Sequence, residues 1–279
     1  MIVIAVKTKK FIAAVIVLGY MAAAWLLIQL PDNDFHIYFL DVGQGDSIFI
    51  KTPENHQILI DGGGSDGGVI EQLGQVMPFF DKSIDLVILT HPHSDHVDGL
   101  VEVIKRYDVS NVLITGVYSD YAGYFEFLDG IYEAGANVFF ADSNENFRFA
   151  DVNIDVLYPF DEIIGEYFEN LNNSSIAIMA SYSDKKILLT GDLEIEGEKA
   201  LVESGDNLDA DILKAGHHGS KTASSDEFLK KVKPETVVIQ CGEGNSFGHP
   251  HEETLFNLEE AGVGKIYRND LDGRVDIKF

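Results

Sequence analysis

Three histidines and one aspartate fall within the six-residue segment His91-Pro92-His93-Ser94-Asp95-His96. The segment follows the apolar run 86–89 and precedes a helical pattern, so its side chains are expected at a strand end, in the loop before a helix. Two imidazoles two residues apart can converge on one ion, and the Asp-His pair adds an oxygen and a third imidazole. Imidazole and carboxylate ligands without a competing thiolate suit zinc, manganese or iron. The spacing predicts a site for a pair of metal ions.

Two later segments offer what a dinuclear site still lacks. Asp192 follows the apolar run 187–189, and the pair His217-His218 follows a second apolar run and is flanked by glycines. A carboxylate that bridges two cations and one further imidazole would complete the second metal's ligands. Each segment alone is also typical of an ordinary turn, and the residues themselves do not decide between the two neighbouring histidines.

Short apolar runs separated by Gly, Asn and Asp predict thirteen strands and six helices after residue 31. The predicted strands are Phe35–Val42, Ser47–Lys51, Gln57–Ile60, Asp85–Thr90, Asn111–Thr115, Asn137–Phe140, Val152–Tyr158, Ser175–Ser181, Lys186–Thr190, Asp211–Lys214, Thr236–Gln240, Gly264–Tyr267 and Arg274–Lys278. The predicted helices are Val69–Phe80, Val97–Tyr107, Tyr121–Ala134, Glu194–Glu203, Ser225–Lys231 and His251–Glu260. This order predicts two mixed sheets face to face with helices outside, in one domain over residues 31–279.

The first 30 residues are predicted to form a membrane segment that is separate from the globular domain. Residues 11–30 carry no charge, and as a helix of about 1.5 Å rise per residue they would be about 30 Å long. Lys7, Lys9 and Lys10 precede them, which predicts a cytoplasmic N-terminus, a single-pass anchor in the cell membrane and an extracytoplasmic domain. The alternatives are a signal peptide cleaved at Ala22-Ala23-Ala24, which would leave a secreted domain, and a buried core helix.

Composition narrows the classes of function. The chain has 20 Lys+Arg against 46 Asp+Glu, a net charge of −26, and residues 31–279 carry 17 − 46 = −29. This charge argues against a passive duplex-binding surface, because such surfaces need clustered basic residues. A basic face near the His pair would partly offset this charge. Its candidates are Lys214, Lys221, Lys230, Lys231 and Lys233. The single cysteine, Cys241, excludes an intramolecular disulfide and a multi-cysteine metal site.

Taken together, the motifs resemble the metallo-β-lactamase-fold hydrolases, and within them the soluble hydrolase domain of ComEC-type DNA-uptake competence proteins. The resemblance covers residues 34–279. Its motifs are Leu40-Asp41-Val42-Gly43-Gln44-Gly45-Asp46-Ser47, Ile60-Asp61-Gly62-Gly63, the His91–His96 segment, Asn172-Asn173-Ser174-Ser175, Thr190-Gly191-Asp192, His217-His218-Gly219-Ser220 and Gly248-His249-Pro250-His251. It implies a four-layer αββα sandwich of the α/β (α+β) class, with a dinuclear site at one edge between the sheets.

The resemblance also implies a role for each site residue. His91 and His93 would hold metal 1, Asp95 and His96 metal 2, Asp192 would bridge, and His218 would complete metal 2 while His217 faces the substrate. Asp61 would orient a ligand imidazole from behind. Many members have a histidine where this chain has the Asn172-Asn173 pair, so Asn173 is expected beside the site and metal 1 lacks one imidazole. The cations are expected to be Zn²⁺, with Mn²⁺ as the alternative.

The implied reaction is hydrolysis by a hydroxide that two cations generate near neutral pH. Asp95 belongs to the catalytic set, His217, His249 and His251 are candidate proton donors, and Ser220 and Lys221 are candidate phosphate contacts. We expect a phosphodiesterase or nuclease that acts outside the membrane. Single-stranded DNA is a candidate substrate. A cell-envelope phosphodiesterase of the phosphorylcholine or teichoic-acid type and a non-catalytic metal-stabilised binding module are the alternatives. Because no multi-span channel accompanies the domain, a role in DNA uptake would need a separate channel, and the sequence predicts no oligomeric state.

Overall fold

The computed structural model describes residues 2–28, 32–66 and 68–279, and in the first helix it describes the side chains of residues 10–21, 23 and 24. The helices are α1 (Ile2–Ile28), α2 (Gly68–Val76), α3 (Ser94–Arg106), α4 (Ala122–Ala134), α5 (Ile195–Ser204), α6 (Asp226–Val232), α7 (Glu252–Glu260) and α8 (Asn269–Asp272). The strands are β1 (His36–Phe39), β2 (Ile48–Lys51), β3 (Gln57–Ile60), β4 (Ser83–Ile88), β5 (Asp108–Ile114), β6 (Asn137–Phe140), β7 (Asn146–Phe149), β8 (Val152–Tyr158), β9 (Ala177–Tyr182), β10 (Lys185–Leu189), β11 (Ile212–Lys214), β12 (Thr236–Ile239), β13 (Lys265–Arg268) and β14 (Val275–Lys278).

The predicted membrane segment, residues 11–30, lies partly outside the described residues, because residues 29 and 30 and the side chains at 22 and 25–28 are not among them. Within the part of the chain that the structure describes, no helix is long and apolar enough to cross a bilayer.

Two seven-stranded sheets form the centre of the domain. One has the order β14-β1-β2-β3-β4-β5-β6 and the other the order β13-β12-β11-β10-β9-β8-β7. Helices α2, α3 and α4 pack on the outer face of the first sheet, and α5, α6 and α7 pack on the outer face of the second. The predicted arrangement of two mixed sheets with helices outside is confirmed.

The alternation of apolar side chains explains why the sheets stack. In β3, Ile58 and Ile60 face the core between the sheets, whereas Leu59 faces the helical layer. In β10, Ile187 and Leu189 face the same central core and Leu188 faces the opposite helices. Because successive side chains of a strand point to opposite faces, a strand that is apolar at every position is buried on both sides. Each sheet is therefore buried on both faces, by the other sheet on one side and by helices on the other.

Helix α3 approaches the end of β3 unusually closely, and glycines make this approach feasible. A Cβ atom on Gly99 would collide with the carbonyl oxygen of Gly62, and one on Gly62 would lie 2.4 Å from the backbone nitrogen of Leu100. The Gly62 amide donates to the His96 carbonyl over 2.8 Å, and the Gly99 amide donates to the Gly63 carbonyl over 3.0 Å. This contact fixes the first turn of α3, which carries part of the predicted metal cluster, against the turn after β3.

Several elements differ from the predictions. Helix α3 begins at Ser94 instead of Val97, so Asp95 and His96 lie in its first turn and not in a loop. Helix α2 ends at Val76, two residues before Pro78, which cannot continue a helix's hydrogen bonding. Strand β7 was not predicted, because its sequence Asn-Phe-Arg-Phe is short and half exposed at the sheet edge.

A buried carboxylate joins two outer helices close to the His217-His218 loop. Glu198 of α5 accepts hydrogen bonds from the backbone amides of Ser225, over 2.9 Å, and Ser224, at the N-terminus of α6.

Replacing Glu198 by glutamine should lower the free energy of unfolding by about 2 kcal/mol, since one buried backbone amide would then face the amide donor of glutamine. Urea unfolding measures this. Glu203→Gln, at the exposed end of α5, is the control and should change stability by less than about 0.5 kcal/mol; an equal loss in both variants would contradict the prediction.

Candidate metal centre

The candidate ligands lie where four strands end at one edge of the sandwich. Strands β3 and β4 are parallel neighbours in one sheet, and β10 and β11 are parallel neighbours in the other. The carboxyl ends of parallel strands meet at the same sheet edge, so the loops after all four strands converge there. Asp61 follows β3, His91 follows β4, Asp192 follows β10 and His218 follows β11.

Five of the predicted ligands come together there in two adjoining groups. Ligand atoms of His91, His96 and Asp192 lie within 4.8 Å of one another, and so do those of Asp95, His96 and His218. Asp192 Oδ2 is 3.3 Å from His96 Nε2 and 3.1 Å from His218 Nε2. Asp95 Oδ2 is 3.2 Å from the same nitrogen of His218. Nε2 of His96 can bind one cation only. With His96 assigned to the group of Asp95 and His218, His91 and Asp192 remain for a second cation, with His93 beside them.

Two buried nitrogens provide an independent test of whether cations fit here. Nε2 of His96 and Nε2 of His218 are buried and make no well-aligned hydrogen bond among the described residues, although the Asp192 carboxylate lies within ion-pair distance of both. An unpaired buried polar atom is costly, so such atoms normally have a partner. Both nitrogens point toward Asp192, where a divalent cation would satisfy them. The residues present therefore fit metal ions.

His93 lies beside these groups without belonging to either. Its Nδ1 is 2.9 Å from Nε2 of His91, and the two rings meet edge to face with centroids 4.6 Å apart. Nδ1 of His91 is 3.1 Å from Thr90 Oγ1 and 3.2 Å from Ser175 Oγ. With Nδ1 engaged by these hydroxyls, Nε2 of His91 is the nitrogen that would bind a metal, in place of its present contact with Nδ1 of His93.

Asp61 holds the central imidazole from behind. Its Oδ2 accepts a 2.8 Å hydrogen bond from His96 Nδ1, and its two oxygens also accept the amide and hydroxyl of Thr90, over 2.8 and 2.7 Å. A carboxylate on Nδ1 fixes the tautomer that leaves Nε2 free for a cation. Asp61 thus occupies the supporting position that the resemblance implies.

Replacing Asp61 by asparagine should weaken metal binding by about 10- to 100-fold, the usual effect of losing such a support. The side chain keeps its shape, so the change acts through the orientation and basicity of His96. Competition with a chromophoric chelator measures the affinity. Asp66→Asn, an exposed position nearby, should leave the affinity unchanged; an Asp61 variant that binds metal as tightly as the unmodified chain would contradict this role.

The side chains of the two neighbouring histidines point in different directions. His217 and His218 both have left-handed backbones, with φ of 45° and 55°, a strained conformation that is concentrated at functional sites. It turns His218 inward, with Nδ1 3.0 Å from the Gln240 carbonyl oxygen and Nε2 facing the ligand groups. His217 turns the other way, with Nδ1 3.0 Å from Glu194 Oε1, and its side chain is 24% exposed. The structure therefore places His218 among the ligand candidates and His217 at the rim.

A family model described as the metallo-beta-lactamase superfamily matches residues 40–243, nearly three quarters of the chain. The chain belongs to the metallo-beta-lactamase superfamily. Among solved structures, the metallo-beta-lactamase fold protein YhfI from Bacillus subtilis superimposes with a TM-score of 0.58 at 12% identity, over 88% of this chain and 100% of that one. At this identity the likeness concerns the fold alone.

Two relatives of this chain carry names that associate them with competence. ComE operon protein 3 of Bacillus subtilis is 28% identical over 291 residues, which cover 97% of this chain and 37% of that protein. Competence protein ComA of Neisseria gonorrhoeae is 29% identical over 250 residues, which cover 88% of this chain and 32% of that protein. The chain thus spans about a third of the length of these relatives. The predicted resemblance to ComEC-type hydrolase domains is confirmed.

Protonation of the metallo-beta-lactamase site in its metal-free form follows from its buried charges. Burial, and then the imidazole of His96, hold the pKa of His91 well below 6.5. Burial opposes the charged form of His96 as well, but the carboxylates of Asp192 and Asp61 outweigh it and raise that pKa well above 6.5. Burial also opposes the charged form of His218, but the Asp192 carboxylate outweighs it and raises the pKa of His218 well above 6.5. Protonated imidazoles thus offset the buried carboxylates where divalent cations would otherwise do so.

The segment 245–251 covers one side of the site. Its His249 ring lies with its centroid 5.5 Å from that of His217 and 6.2 Å from that of His218. Burial, followed by the His218 and His217 imidazoles, lowers the pKa of His249 to about 4. A neutral imidazole accepts a proton or hydrogen bond at pH 7, so His249 suits a proton donor less well than His217, which has the Glu194 carboxylate beside it.

The prediction that Lys214 lines a basic surface is wrong. Lys214 is fully buried inside the site, where it forms an ion pair with Asp46. The chain gives little signal of this, because lysines are almost never fully buried and a Lys before a loop suggests an exposed side chain. The carboxylate of Asp46 is also buried, 3.1 Å from His218 Nδ1.

The other predicted residues lie around the rim. Asn173 accepts the Glu194 amide over 3.1 Å and donates to Glu196 over 3.2 Å, and so braces the start of α5. Ser220 is buried, with its hydroxyl 3.0 Å from Thr222 Oγ1, which makes it a loop brace and not an open phosphate contact. Lys221 is exposed. Its surface cleft is also lined by Glu194, Glu196 and Glu253, so the surroundings of this lysine are acidic.

Proposed function

We propose that the chain is a metal-dependent phosphodiesterase with two divalent cations, Zn²⁺ or Mn²⁺, and that nucleic acid is its substrate. The observation that carries the proposal is the pair of adjoining ligand groups that share His96 and meet at Asp192 Oδ2. Two cations, when bound, supply Lewis acidity and a hydroxide nucleophile at neutral pH. The relatives named for competence support nucleic acid as the substrate class.

The chain's own residues would bind the cations and handle the proton of the leaving group. His91, His93 and Asp192 would face one cation, and His96, Asp95 and His218 the other. His217 is held by Glu194 Oε1 at 3.0 Å and by Thr222 Oγ1 at 3.2 Å from Nδ1. This hydrogen bonding orients its ring at the exposed rim, where it can donate a proton to the departing oxygen.

The acidic rim favours a second candidate, a small or cell-envelope phosphodiester. Lys214 is buried and Lys221 lies beside three glutamates, so neither of the two lysines nearest the His pair in sequence offers an unopposed positive charge to a long polyanion. Residues 31–279 carry −29, which repels nucleic acid over many phosphates. If nucleic acid is the substrate, only a few phosphates should contact the protein, and the salt dependence of binding should be shallow.

Comparing two substrates on the same preparation tests the proposal. The purified full chain is stripped of metal, reloaded with Zn²⁺ or Mn²⁺, and assayed with bis-p-nitrophenyl phosphate and with labelled single-stranded DNA. His93→Ala and Asp192→Ala serve as inactive controls. We expect cleavage of both substrates, lost in both variants. Cleavage of the small ester alone would favour the envelope phosphodiester, and no turnover of either with metals bound would overturn the proposal in favour of a binding module.

The location of the domain is a proposal too. The three lysines before residue 11 are the reason to propose a cytoplasmic N-terminus and a catalytic domain outside the cell membrane.

A further inference from the structure

A lysine ammonium lies inside the metal centre. Lys214, the last residue of β11, is 0% exposed, and its Nζ donates to the Gly191 carbonyl oxygen over 2.9 Å. The same nitrogen forms an ion pair with Asp46 and lies 3.5 Å from Asp192 Oδ1. A buried ammonium without partners would be very costly, and these three oxygens satisfy it.

The lysine divides the two oxygens of Asp192 between two tasks. Oδ1 faces Lys214, while Oδ2 faces Nε2 of His96 at 3.3 Å and Nε2 of His218 at 3.1 Å. Because Lys214 also binds the carbonyl oxygen of Gly191, it fixes the backbone that carries Asp192 as well as the carboxylate. Only Oδ2 of Asp192 is then directed at the ligand groups.

The same ammonium acts on His218 through Asp46. One oxygen of Asp46 pairs with Lys214, and the other, Oδ1, lies 3.1 Å from Nδ1 of His218, beside the Gln240 carbonyl oxygen that is 3.0 Å from the same nitrogen. An acceptor at Nδ1 keeps the proton there and leaves Nε2 as the metal-binding nitrogen. Lys214 therefore contacts one ligand candidate directly and supports a second through one intervening carboxylate.

We propose that Lys214 is a positioning residue of the metal centre, a resident ammonium that reserves Asp192 Oδ1 and Asp46 for itself and leaves Asp192 Oδ2 and His218 Nε2 for divalent cations. It rests on the proposed function in that the site binds two cations. A lysine with a merely structural role would support folding without changing which atoms bind a metal.

The visible absorption of the Co²⁺-loaded protein tests this, because its bands respond to the number and type of ligands. In Lys214→Met, which keeps the length of the side chain and removes the charge, Asp192 Oδ1 becomes free to turn to the metal. We expect the Co²⁺ bands to shift and change in intensity. Lys230→Met, at an exposed lysine of α6 that pairs with Asp226, is the matched control and should give the spectrum of the unmodified chain. A Lys214→Met spectrum identical to that of the unmodified chain would overturn the proposal.

Removing one partner of a buried ion pair can prevent folding, so a double variant complements the single one. Lys214→Met/Asp46→Asn removes both charges together and should fold, as judged by circular dichroism, yet still give the altered Co²⁺ spectrum. Turnover of bis-p-nitrophenyl phosphate is measured separately and should fall at least about 100-fold with metals bound, about 2.7 kcal/mol in transition-state stabilisation. If the unmodified chain shows no turnover, the proposed function fails, and the spectra still decide the role of Lys214.

Discussion

Replacing Asp192 by alanine should lower phosphodiester hydrolysis by at least about 1,000-fold, a loss of about 4 kcal/mol in transition-state stabilisation. Asp192 is 2% exposed, and its Oδ2 is the atom at which both ligand groups meet. The neighbouring carboxylates have other tasks: Asp61 supports His96 from behind, Asp46 is paired with Lys214, and Asp95 is the ligand candidate beside His218. The rate constant kcat/KM for bis-p-nitrophenyl phosphate at saturating metal measures the effect.

Asp184→Ala is the matched control for this substitution. Asp184 is exposed in the turn between β9 and β10, at the opposite end of the strand that leads to Asp192. Its loss should leave kcat/KM within about twofold of the unmodified chain. An Asp192→Ala variant that folds, binds two metal ions and keeps a tenth or more of the rate would exclude Asp192 from the reaction.

Removing the metal ions should lower the free energy of unfolding by about 4 kcal/mol for each bound cation, relative to protein at a free metal concentration 1,000 times the Kd. The reason is the concentration of buried charge. Asp46, Asp61 and Asp192 are each 2% exposed or less. Among the described residues of the site, Lys214 is the one lysine that offsets these carboxylates. Urea unfolding before and after chelation measures the difference. Equal stability with and without metal would mean that the site does not bind cations in the folded state.

The stabilisation by metal should also grow as the pH rises from 6 to 8. In the metal-free protein the pKa of His96 and that of His218 lie well above 6.5, so their contribution is fully present below 6.5 and is lost as the pH rises through the raised values. The pKa of Asp192 is well below 3.8, so its contribution is lost only as the pH falls below that range. Cations need deprotonated imidazoles, so binding strengthens where the metal-free protein weakens. A difference in Tm between loaded and metal-free protein that stays constant from pH 6 to 8 would contradict this linkage.

Local patterns were sufficient to predict most elements, because apolar runs such as 58–60 and 187–189 are buried on both faces and leave little choice of structure. They were insufficient where an element depends on its neighbours. Strand β7 is a short edge strand whose pairing with β8 defines it, and α3 begins three residues early because its first turn packs on Gly62. The motifs were sufficient to predict the candidate ligands, whereas the grouping of these ligands in space depends on the fold.

Lys214 and Glu194 illustrate what the sequence could not reveal. Both are charged residues beside recognisable motifs, and their type alone suggests exposed side chains. Lys214 is buried because Asp46, about 170 positions earlier, and Asp192 converge on its ammonium. Glu194 becomes relevant because the left-handed backbone of His217 brings that ring within 3.0 Å of it. Such partnerships depend on long-range contacts that no local spacing encodes.

Turnover of bis-p-nitrophenyl phosphate during stepwise addition of Zn²⁺ or Mn²⁺ to the metal-free full chain tests most directly whether this is a dinuclear phosphodiesterase. We predict no hydrolysis without metal and a rate that rises until two equivalents are bound and then stays constant. Two bound equivalents without hydrolysis of the ester, or hydrolysis that proceeds without any metal, would contradict the proposed chemistry.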